Sequence, residues 1–186
     1  PQDRATALLF GDAGSASAIE QDGDDSWGFS LHSDGQGYQD LIIPGRGFRE
    51  PSPADKRDNY LHMNGANLFN FTIQKVPPLI QDTLDLMDKC IDDINVFIFH
   101  QSNQFMMRHI AKKSGLPPEK TPMILGEYGN AGGPVVPMML GQHYIDKTLT
   151  LAETAMLLGY GVGRSWGSAL LKIHPDTVFL HSEYMM

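Results

Sequence analysis

The sequence contains very little cysteine: Cys90 is the single one among its 186 residues. One thiol cannot form an internal disulfide or build a zinc site from several cysteines. The seven histidines include no His-x-x-x-His pair and no carboxylate at ligand spacing, so we predict no metal site. Because scarce cysteine suits a reducing compartment, we expect a cytoplasmic protein in which Cys90 is a buried structural thiol.

Excess positive charge and long apolar runs are also absent. With 14 basic and 22 acidic residues the formal net charge is −8, which argues against a nucleic-acid partner, since phosphate binding needs basic surface. No apolar run approaches the roughly 20 residues that span a bilayer, and no lipidation motif is present, so we expect no membrane partner. The first residue is Pro1 rather than Met, which suggests a processed product or a piece of a longer protein.

The first third of the chain predicts short strands in a loop-rich setting. The apolar runs at 5–10 (ATALLF) and 15–20 (SASAIE) flank a Gly-rich turn and predict two adjacent strands. That turn, GDAGSAS, matches no nucleotide-binding motif. Gly, Asp, Pro and Ser predominate over 21–57, where only 28–32 and 40–43 are strand-like.

Helical periodicity begins at Asn67 and continues to Cys90. Apolar residues recur there at three- and four-residue spacing, which predicts an amphipathic helix that Pro77 and Pro78 must kink or split. The apolar run Ile94–Phe99 predicts a buried strand. A second helical pattern follows it, with its apolar positions at Met106, Met107, Ile110 and Ala111.

The last third continues the alternation of helices and strands. We predict a short strand at Met123–Leu125, a helix at Val135–Ile145 and two final strands at 154–161 and 165–173. Pro134 suits a helix start, where its missing N–H would have no partner in any case. The whole pattern predicts a layered α/β architecture.

His100 follows the predicted buried strand and admits two interpretations. Histidine is intermediate in burial, so His100 could be a hydrogen-bonded core residue. The carboxyl ends of strands in α/β sheets are also where ligands bind, which keeps a chemical role open. The residues alone do not decide between them.

Asn130 and the turn 159–163 present the same ambiguity. Asn130 lies in YGNAGG, where Asn and Gly are ordinary turn residues, yet its amide could point into the same crevice as His100. The glycines of GYGVG suit a hairpin, and they would equally let backbone N–H groups approach a developing oxyanion. No Gly-x-Ser-x-Gly nucleophile motif is present.

Taken in order, these segments resemble a known family. FHQSNQ, then YGNAGGPVVP thirty positions later, then LLGYGVGRSWGSALLKI resemble the C-terminal half of the 3-oxoacyl-[acyl-carrier-protein] synthase III family. LFGDAGSASAIE and MNGANLFNFTIQKVP also fall where that family has similar stretches. The resemblance implies the C-terminal half of a thiolase-like α/β fold, with a mixed five-stranded sheet covered by helices, plus the last strands of the N-terminal half.

The resemblance implies a Cys-His-Asn catalytic set, of which His100 and Asn130 match two members. The nucleophilic cysteine of the family lies in its N-terminal half, and Cys90 matches no catalytic position. In the family an acyl group moves from acyl-CoA to that cysteine, and malonyl-carrier protein then loses CO2 to form an attacking enolate. A neutral His N–H and an Asn amide supply the two donors that stabilise the enolate oxygen.

Further residues acquire roles through the same resemblance. Val162 matches the position whose backbone N–H completes the oxyanion hole for the acyl thioester, where the family often has Gly. Asn103, Phe69 and Tyr160 are assigned to substrate and CoA binding. No cofactor is implied, because the coenzyme A thioester is a substrate.

A local basic patch is expected to receive the acidic carrier protein. Arg108, Lys112 and Lys113 lie on the helix that follows His100, where they would steer an anionic partner to an otherwise acidic protein. A solvated helix face remains the alternative for each lysine. Phe105 replaces an arginine that is common in the family, so this part of the family's usual contact is not expected here.

These assignments give a division of the chain and an expected function. We assign residues 1–20 to the end of the N-terminal half, 21–174 to the C-terminal domain and 175–186 to a tail. We expect the C-terminal part of a homodimeric condensing enzyme that joins acyl-CoA to malonyl-acyl carrier protein in fatty-acid biosynthesis, inactive without the nucleophile. The alternatives are a relative with polyketide, acyl-shuttling or 3-hydroxy-3-methylglutaryl-CoA-type chemistry, and a non-catalytic partner-binding half.

Overall fold

The computed structural model describes residues 6–20 and 26–183 and forms a mixed sheet flanked by helices. The strands are β1 (Gly28–Ser33), β2 (Leu41–Ile42), β3 (His62–Met63), β4 (Val96–Phe99), β5 (Glu153–Gly161) and β6 (Ser165–Ile173). The helices are α1 (Gly65–Leu86), α2 (Gln104–Lys113), α3 (Leu125–Tyr128) and α4 (Val135–Tyr144). The predicted strands at 28–32, 94–99, 154–161 and 165–173 and the helices before and after β4 are confirmed.

The main sheet has the strand order β1-β6-β5-β4. β5 is antiparallel to β6 and parallel to β4, so the sheet is mixed, as predicted. It has four strands over the described residues rather than five. The predicted strand at Met123–Leu125 is wrong: the Ile124 N–H donates to the side-chain Oε1 of Gln101 (3.1 Å) instead of a strand carbonyl, and α3 begins at Leu125.

β4 lies at the centre of the core, with all four residues buried. Because side chains alternate along a strand, Phe97 and Phe99 pack towards α1 and α2, whereas Val96 and Ile98 pack towards α4. Burial on both faces explains why β4 is a continuous apolar run without polar alternation. Each such side chain contributes about 1.5–3 kcal/mol through burial.

α1 continues through Pro77 and Pro78, so of the two predicted outcomes, a kink or a split, the split does not occur. Pro77 has no N–H to offer the carbonyl of Ile73, and the ammonium of Lys113 donates to that carbonyl instead (3.0 Å). The helix ends at Leu86, before the predicted Cys90, because Asp88 adopts a left-handed conformation (φ 50°) and the Lys89 N–H turns back to the Leu84 carbonyl (2.9 Å).

Cys90 is exposed, so the prediction of a buried thiol is wrong. It lies beyond the end of α1 and begins a short 3₁₀ turn, where its backbone N–H donates to the Asp93 carboxylate (2.8 Å). The turn carries the chain away from the helix before the sheet begins, which leaves the side chain outside the core.

The two strands predicted at 5–10 and 15–20 are not formed over the described residues 6–20. Phe10 makes a single bridge to Asn130, and Leu8 and Ile19 are 91% and 71% exposed. A strand needs a neighbouring strand to satisfy its backbone, and none lies beside this segment among the described residues. Residues 1–5 fall outside the described part of the chain.

Beyond β6 the chain has no regular secondary structure up to residue 183. Phe179 nevertheless stacks on Tyr144 of α4, with ring centroids 5.2 Å apart. The division of the chain at residues 20 and 174 stays a prediction.

Candidate active site

A cavity of about 970 Å³ opens at the carboxyl ends of β4 and β5. Since these two strands are parallel, the segments that follow them meet at one edge of the sheet. Most of the cavity wall is apolar. Six of the predicted site residues line it, namely His100, Asn130, Val162, Asn103, Phe69 and Tyr160.

His100 is the first residue after β4 and is held at both ends of its backbone. Its N–H donates to the carbonyl of Leu158 in β5 (2.7 Å), and its carbonyl accepts from the Ser102 N–H (2.8 Å). Burial lowers the pKa of the imidazole, while a hydrogen bond with the Gly132 backbone acts in the opposite direction. His100 is therefore neutral at neutral pH.

Asn130 is buried in the loop between α3 and α4. Its Oδ1 accepts from the Gly132 N–H (3.0 Å), which orients the amide. No hydrogen bond joins its NH2 group to another residue of the described part, so this donor remains for a ligand in the cavity. Gly132 thus contacts both side chains, because its backbone also hydrogen-bonds to the imidazole of His100.

The backbone of Asn130 is held by the segment at residues 9–11. The Asn130 N–H donates to the Leu9 carbonyl (2.9 Å), and the Gly11 N–H donates to the Asn130 carbonyl (3.1 Å). A Cβ on Gly11 would lie 2.1 Å from the carbonyl oxygen of Tyr128, so only glycine allows this approach. The sequence predicts only a structural turn in this stretch, and its contact with Asn130 is not predicted, although Gly11 is a signal of close backbone approach.

Tyr160 belongs to β5, and its side chain is buried against His100. The hydroxyl donates to the His100 carbonyl (3.1 Å) and lies 3.2 Å from the Ser102 hydroxyl. The two rings are perpendicular, with centroids 5.5 Å apart, and burial raises the pKa of the phenol. The phenol is thus engaged by the protein, and its neighbour Ser102 is a residue of the site that was not predicted from the sequence.

Val162 begins the 3₁₀ turn Val162–Arg164 between β5 and β6. Val162 is 66% exposed, and glycines on either side have positive φ (154° at Gly161, 72° at Gly163). A role that uses only the main chain is compatible with valine here, because its branched side chain points largely into solvent.

Asn103 and Phe69 form another part of the cavity wall. Asn103 caps α2, its Oδ1 accepting from the N–H groups of Phe105 (2.9 Å) and Met106 (3.2 Å). Phe69 of α1 stacks on Phe105, with ring centroids 5.9 Å apart. The capping oxygen is therefore occupied, whereas the amide NH2 of Asn103 is the group left for a ligand.

Arg108, Lys112 and Lys113 lie on the exposed side of α2 and do not line the cavity. Lys113 donates to the Ile73 carbonyl, so its ammonium supports α1. Within the residues that the structure describes, no group of three or more His, Cys, Asp or Glu side chains is arranged to hold a metal ion. Nor does any helix there have both the length and the apolar character needed to cross a membrane.

Comparison with known proteins finds relatives of this chain. A family model described as the C terminal of 3-oxoacyl-[acyl-carrier-protein (ACP)] synthase III matches residues 87–173. Beta-ketoacyl-[acyl-carrier-protein] synthase III of Streptococcus mutans is 35% identical over 92% of this chain and 54% of its own length. The Campylobacter fetus protein of the same name is 33% identical over 92% of this chain and 53% of its own length.

The solved structures give the same result. A 3-oxoacyl-(acyl-carrier protein) synthase from Burkholderia xenovorans superposes with a TM-score of 0.84 and 39% identity, over 95% of this chain and 53% of that one. This likeness confirms the predicted fold class. The chain spans about half the length of the curated relatives that it matches.

Proposed function

Since this chain belongs to the 3-oxoacyl-[acyl-carrier-protein] synthase III family, of which it spans the C-terminal half, we propose that it is part of a condensing enzyme. The reaction joins an acyl-CoA starter to malonyl-acyl carrier protein and yields 3-oxoacyl-carrier protein in fatty-acid biosynthesis. The observation that carries this proposal is the meeting of His100 and Asn130 at one cavity, both in contact with Gly132.

These two side chains fit the decarboxylation step. The bond between C2 of the malonyl group and its carboxylate carbon breaks, CO2 leaves, and the electron pair moves into an enolate whose oxygen becomes negative. The NH2 of Asn130 donates to this oxygen. The single N–H of the neutral His100 donates to it as well, by exchanging its Gly132 backbone partner for the enolate oxygen. One such donor in a dry site lowers the barrier by about 3–4 kcal/mol.

The neutral state of His100 matters for this assignment. A protonated imidazole would carry a full charge in an apolar cavity, whereas a neutral ring in a fixed orientation donates one hydrogen bond at no cost of desolvating a charge. The lowered pKa of His100 supports a donor that stays neutral throughout the reaction.

The second step needs donors at another oxygen. The enolate carbon attacks the carbonyl carbon of the acyl-cysteine thioester, the C–S bond breaks, and the thiolate leaves. We assign the backbone N–H of Val162 to the oxygen of that carbonyl, together with the N–H of the cysteine itself. The position of Val162 in the cavity wall supports this assignment.

Binding of the thioester arm is assigned to residues farther along the cavity. The ring of Phe69 and the amide NH2 of Asn103 offer an apolar contact and a donor for the arm shared by CoA and carrier protein. Tyr160 supports His100, so its contribution to substrate binding is limited to its ring. Arg108 and Lys112 are exposed on α2 and would meet the acidic carrier protein.

We further propose that this chain alone does not condense, because the family's nucleophilic cysteine matches no position in it. Incubation with acetyl-CoA should leave its intact mass unchanged. An acyl adduct that survives in a Cys90→Ser variant would contradict this proposal, whereas loss of the adduct in that variant identifies simple acylation of the exposed thiol. A homodimer, a cytoplasmic location and the absence of a cofactor belong to the same proposal.

The decisive experiment determines the DNA sequence before the codon of Pro1. The segment encoded there is then expressed together with this chain as one polypeptide, the joined protein. We expect a cysteine at a helix start upstream, and conversion of labelled acetyl-CoA and malonyl-carrier protein into 3-oxoacyl-carrier protein. His100→Ala and Asn130→Ala should each lower the rate about 10²- to 10³-fold. Glu119→Ala, an exposed control, should leave the rate unchanged. Equal activity in the unaltered joined protein and in its three variants would refute the proposed function.

A further inference from the structure

A partly buried ion pair between Arg164 and Asp40 lies behind the turn that carries Val162. Asp40, the last residue of the 3₁₀ turn Gly35–Asp40, is 7% exposed. Its Oδ2 accepts from Arg164 Nε (2.8 Å) and Nη2 (2.5 Å), and its Oδ1 accepts from the Asn67 amide (2.7 Å). Three donors satisfy the carboxylate, and the pKa of Asp40 is accordingly lowered, first by Asn67 and then by Arg164.

The backbone of Arg164 is held as firmly as its side chain. Arg164 adopts a left-handed conformation (φ 47°), which side-chain-bearing residues avoid unless their surroundings enforce it. The Asp34 N–H donates to the Arg164 carbonyl (2.9 Å). A Cβ on Gly37 would lie 1.8 Å from Arg164 Nε, so the 3₁₀ turn is shaped around the guanidinium.

The ion pair joins three parts of the cavity wall. Arg164 ends the turn that begins at Val162, Asp40 precedes the wall residue Leu41, and Asn67 precedes Leu68 and Phe69. A shift of the guanidinium would therefore move the Val162 backbone relative to the rest of the wall.

We propose that Arg164 and Asp40 are positioning residues, whose ion pair holds the Val162 turn in the orientation that presents its N–H to the acyl thioester. The presentation to a thioester rests on the proposed function. The fixing of the turn does not, and it is measurable in this chain alone.

The first measurement is the backbone order parameter of the ¹⁵N-labelled chain. In Arg164→Met and in Asp40→Asn, the value at Val162 and Gly163 should fall from about 0.85, typical of rigid backbone, to below about 0.6. Amides in the β5 core, such as that of Met156, should keep their values. The matched control is Arg57→Met, which breaks an exposed Arg–Asp pair with Asp55 (2.7 Å) and should leave the turn ordered.

Two further variants separate positioning from simple loss of charge or of folding. Arg164→Lys keeps the charge but loses the forked contact, so it should recover the order of the turn only in part. Gly37→Ala leaves both charged residues in place and should still loosen the turn, because the added methyl displaces the guanidinium. Unchanged order at Val162 in all of these variants, or an equal loss throughout the chain, would overturn the proposal.

The second measurement uses the joined, condensing protein. Arg164→Met should slow acyl transfer from acetyl-CoA about 10- to 100-fold, as expected for a misplaced donor, and leave malonyl decarboxylation within about twofold. His100→Ala should have the opposite effect: it should slow malonyl decarboxylation more than acyl transfer from acetyl-CoA. Equal slowing of both steps by Arg164→Met would contradict a positioning role. If the substitutions loosen the turn as described but the joined protein shows no acyl transfer at all, the proposed function is refuted. The proposal that the ion pair fixes the turn then still stands.

Discussion

The hydroxyl of Tyr160 donates a hydrogen bond to the main-chain carbonyl of His100 across 3.1 Å, and the phenol ring stands perpendicular to the imidazole. Tyr160 thus limits both the backbone and the ring of the residue assigned to enolate stabilisation. Its phenol also lies beside the Ser102 hydroxyl, so two side chains and one backbone carbonyl form a small buried network.

Tyr160→Phe should test this network. The variant keeps the ring contact but removes one buried hydrogen bond and leaves the Ser102 hydroxyl without its phenol partner, so the free energy of unfolding should fall by about 1 kcal/mol. Urea denaturation measures this change. Tyr60→Phe, at an exposed position, is the control and should unfold like the parent. A similar loss in both variants would show that the Tyr160 hydroxyl contributes nothing specific.

The burial of His100 predicts a pH dependence of stability. Its folded pKa is lowered from an ordinary value of about 6.5, so above that pH the ring is neutral in both states. Below it the unfolded chain takes up the proton first, and the free energy of unfolding should fall as the pH is lowered towards the folded pKa, then level off. Urea denaturation between pH 7.5 and 5 should show this slope in the parent.

His100→Gln should reduce that slope, since the substituted side chain does not titrate. His143, whose pKa is lowered chiefly by burial, will contribute a slope of its own, so His143→Gln serves as the comparison. The NMR titration of the ring protons assigns each contribution directly. A His100 ring that titrates at or above its ordinary value would contradict the neutral donor.

The core and its helices could be predicted because their signals are local. β4 is buried on both faces and is therefore apolar at every position, and the four predicted apolar positions of α2 are its four buried residues. His100 and Asn130 were assigned through motifs, and the cavity brings them to one place. The roles of these residues stay predictions until they are tested chemically.

The remaining features depend on contacts between residues far apart in the sequence. The apolar runs before residue 20 have strand composition, but a strand forms only where a neighbour completes its hydrogen bonds. The backbone hydrogen bonds that Leu9 and Gly11 make with Asn130 join residues about 120 positions apart in the sequence. The Asp40–Arg164 pair joins residues 124 positions apart. No periodicity within a short window carries such information.

Gly11→Ala should disturb Asn130 from a distance. The added methyl would lie against the Tyr128 carbonyl, forcing residues 9–11 away and weakening two backbone hydrogen bonds to Asn130. The free energy of unfolding should fall by about 1–3 kcal/mol, and the NMR signals of the Asn130 amide should shift. Gly14→Ala is the matched control, because a Cβ there meets no atom within 4 Å of the described structure. Unshifted Asn130 signals in Gly11→Ala would disprove this link.

The bond from Lys113 to the Ile73 carbonyl explains how α1 tolerates Pro77, and it predicts a coupling between two residues 36 positions apart. Lys113→Met should lower the free energy of unfolding by about 0.5–1.5 kcal/mol, because the carbonyl loses its donor. In a Pro77→Ala background the restored N–H can bond to Ile73, so the same substitution should cost much less.

The double-mutant cycle measures this difference as an interaction energy between Lys113 and Pro77. Lys112→Met, one position earlier on the exposed face of α2, is the control and should show no coupling to Pro77. Additive effects of Lys113→Met and Pro77→Ala would mean that the ammonium does not replace the missing N–H. A clear coupling would assign Lys113 to the support of α1, and would leave Arg108 and Lys112 as the residues through which the proposed carrier-protein contact should be tested.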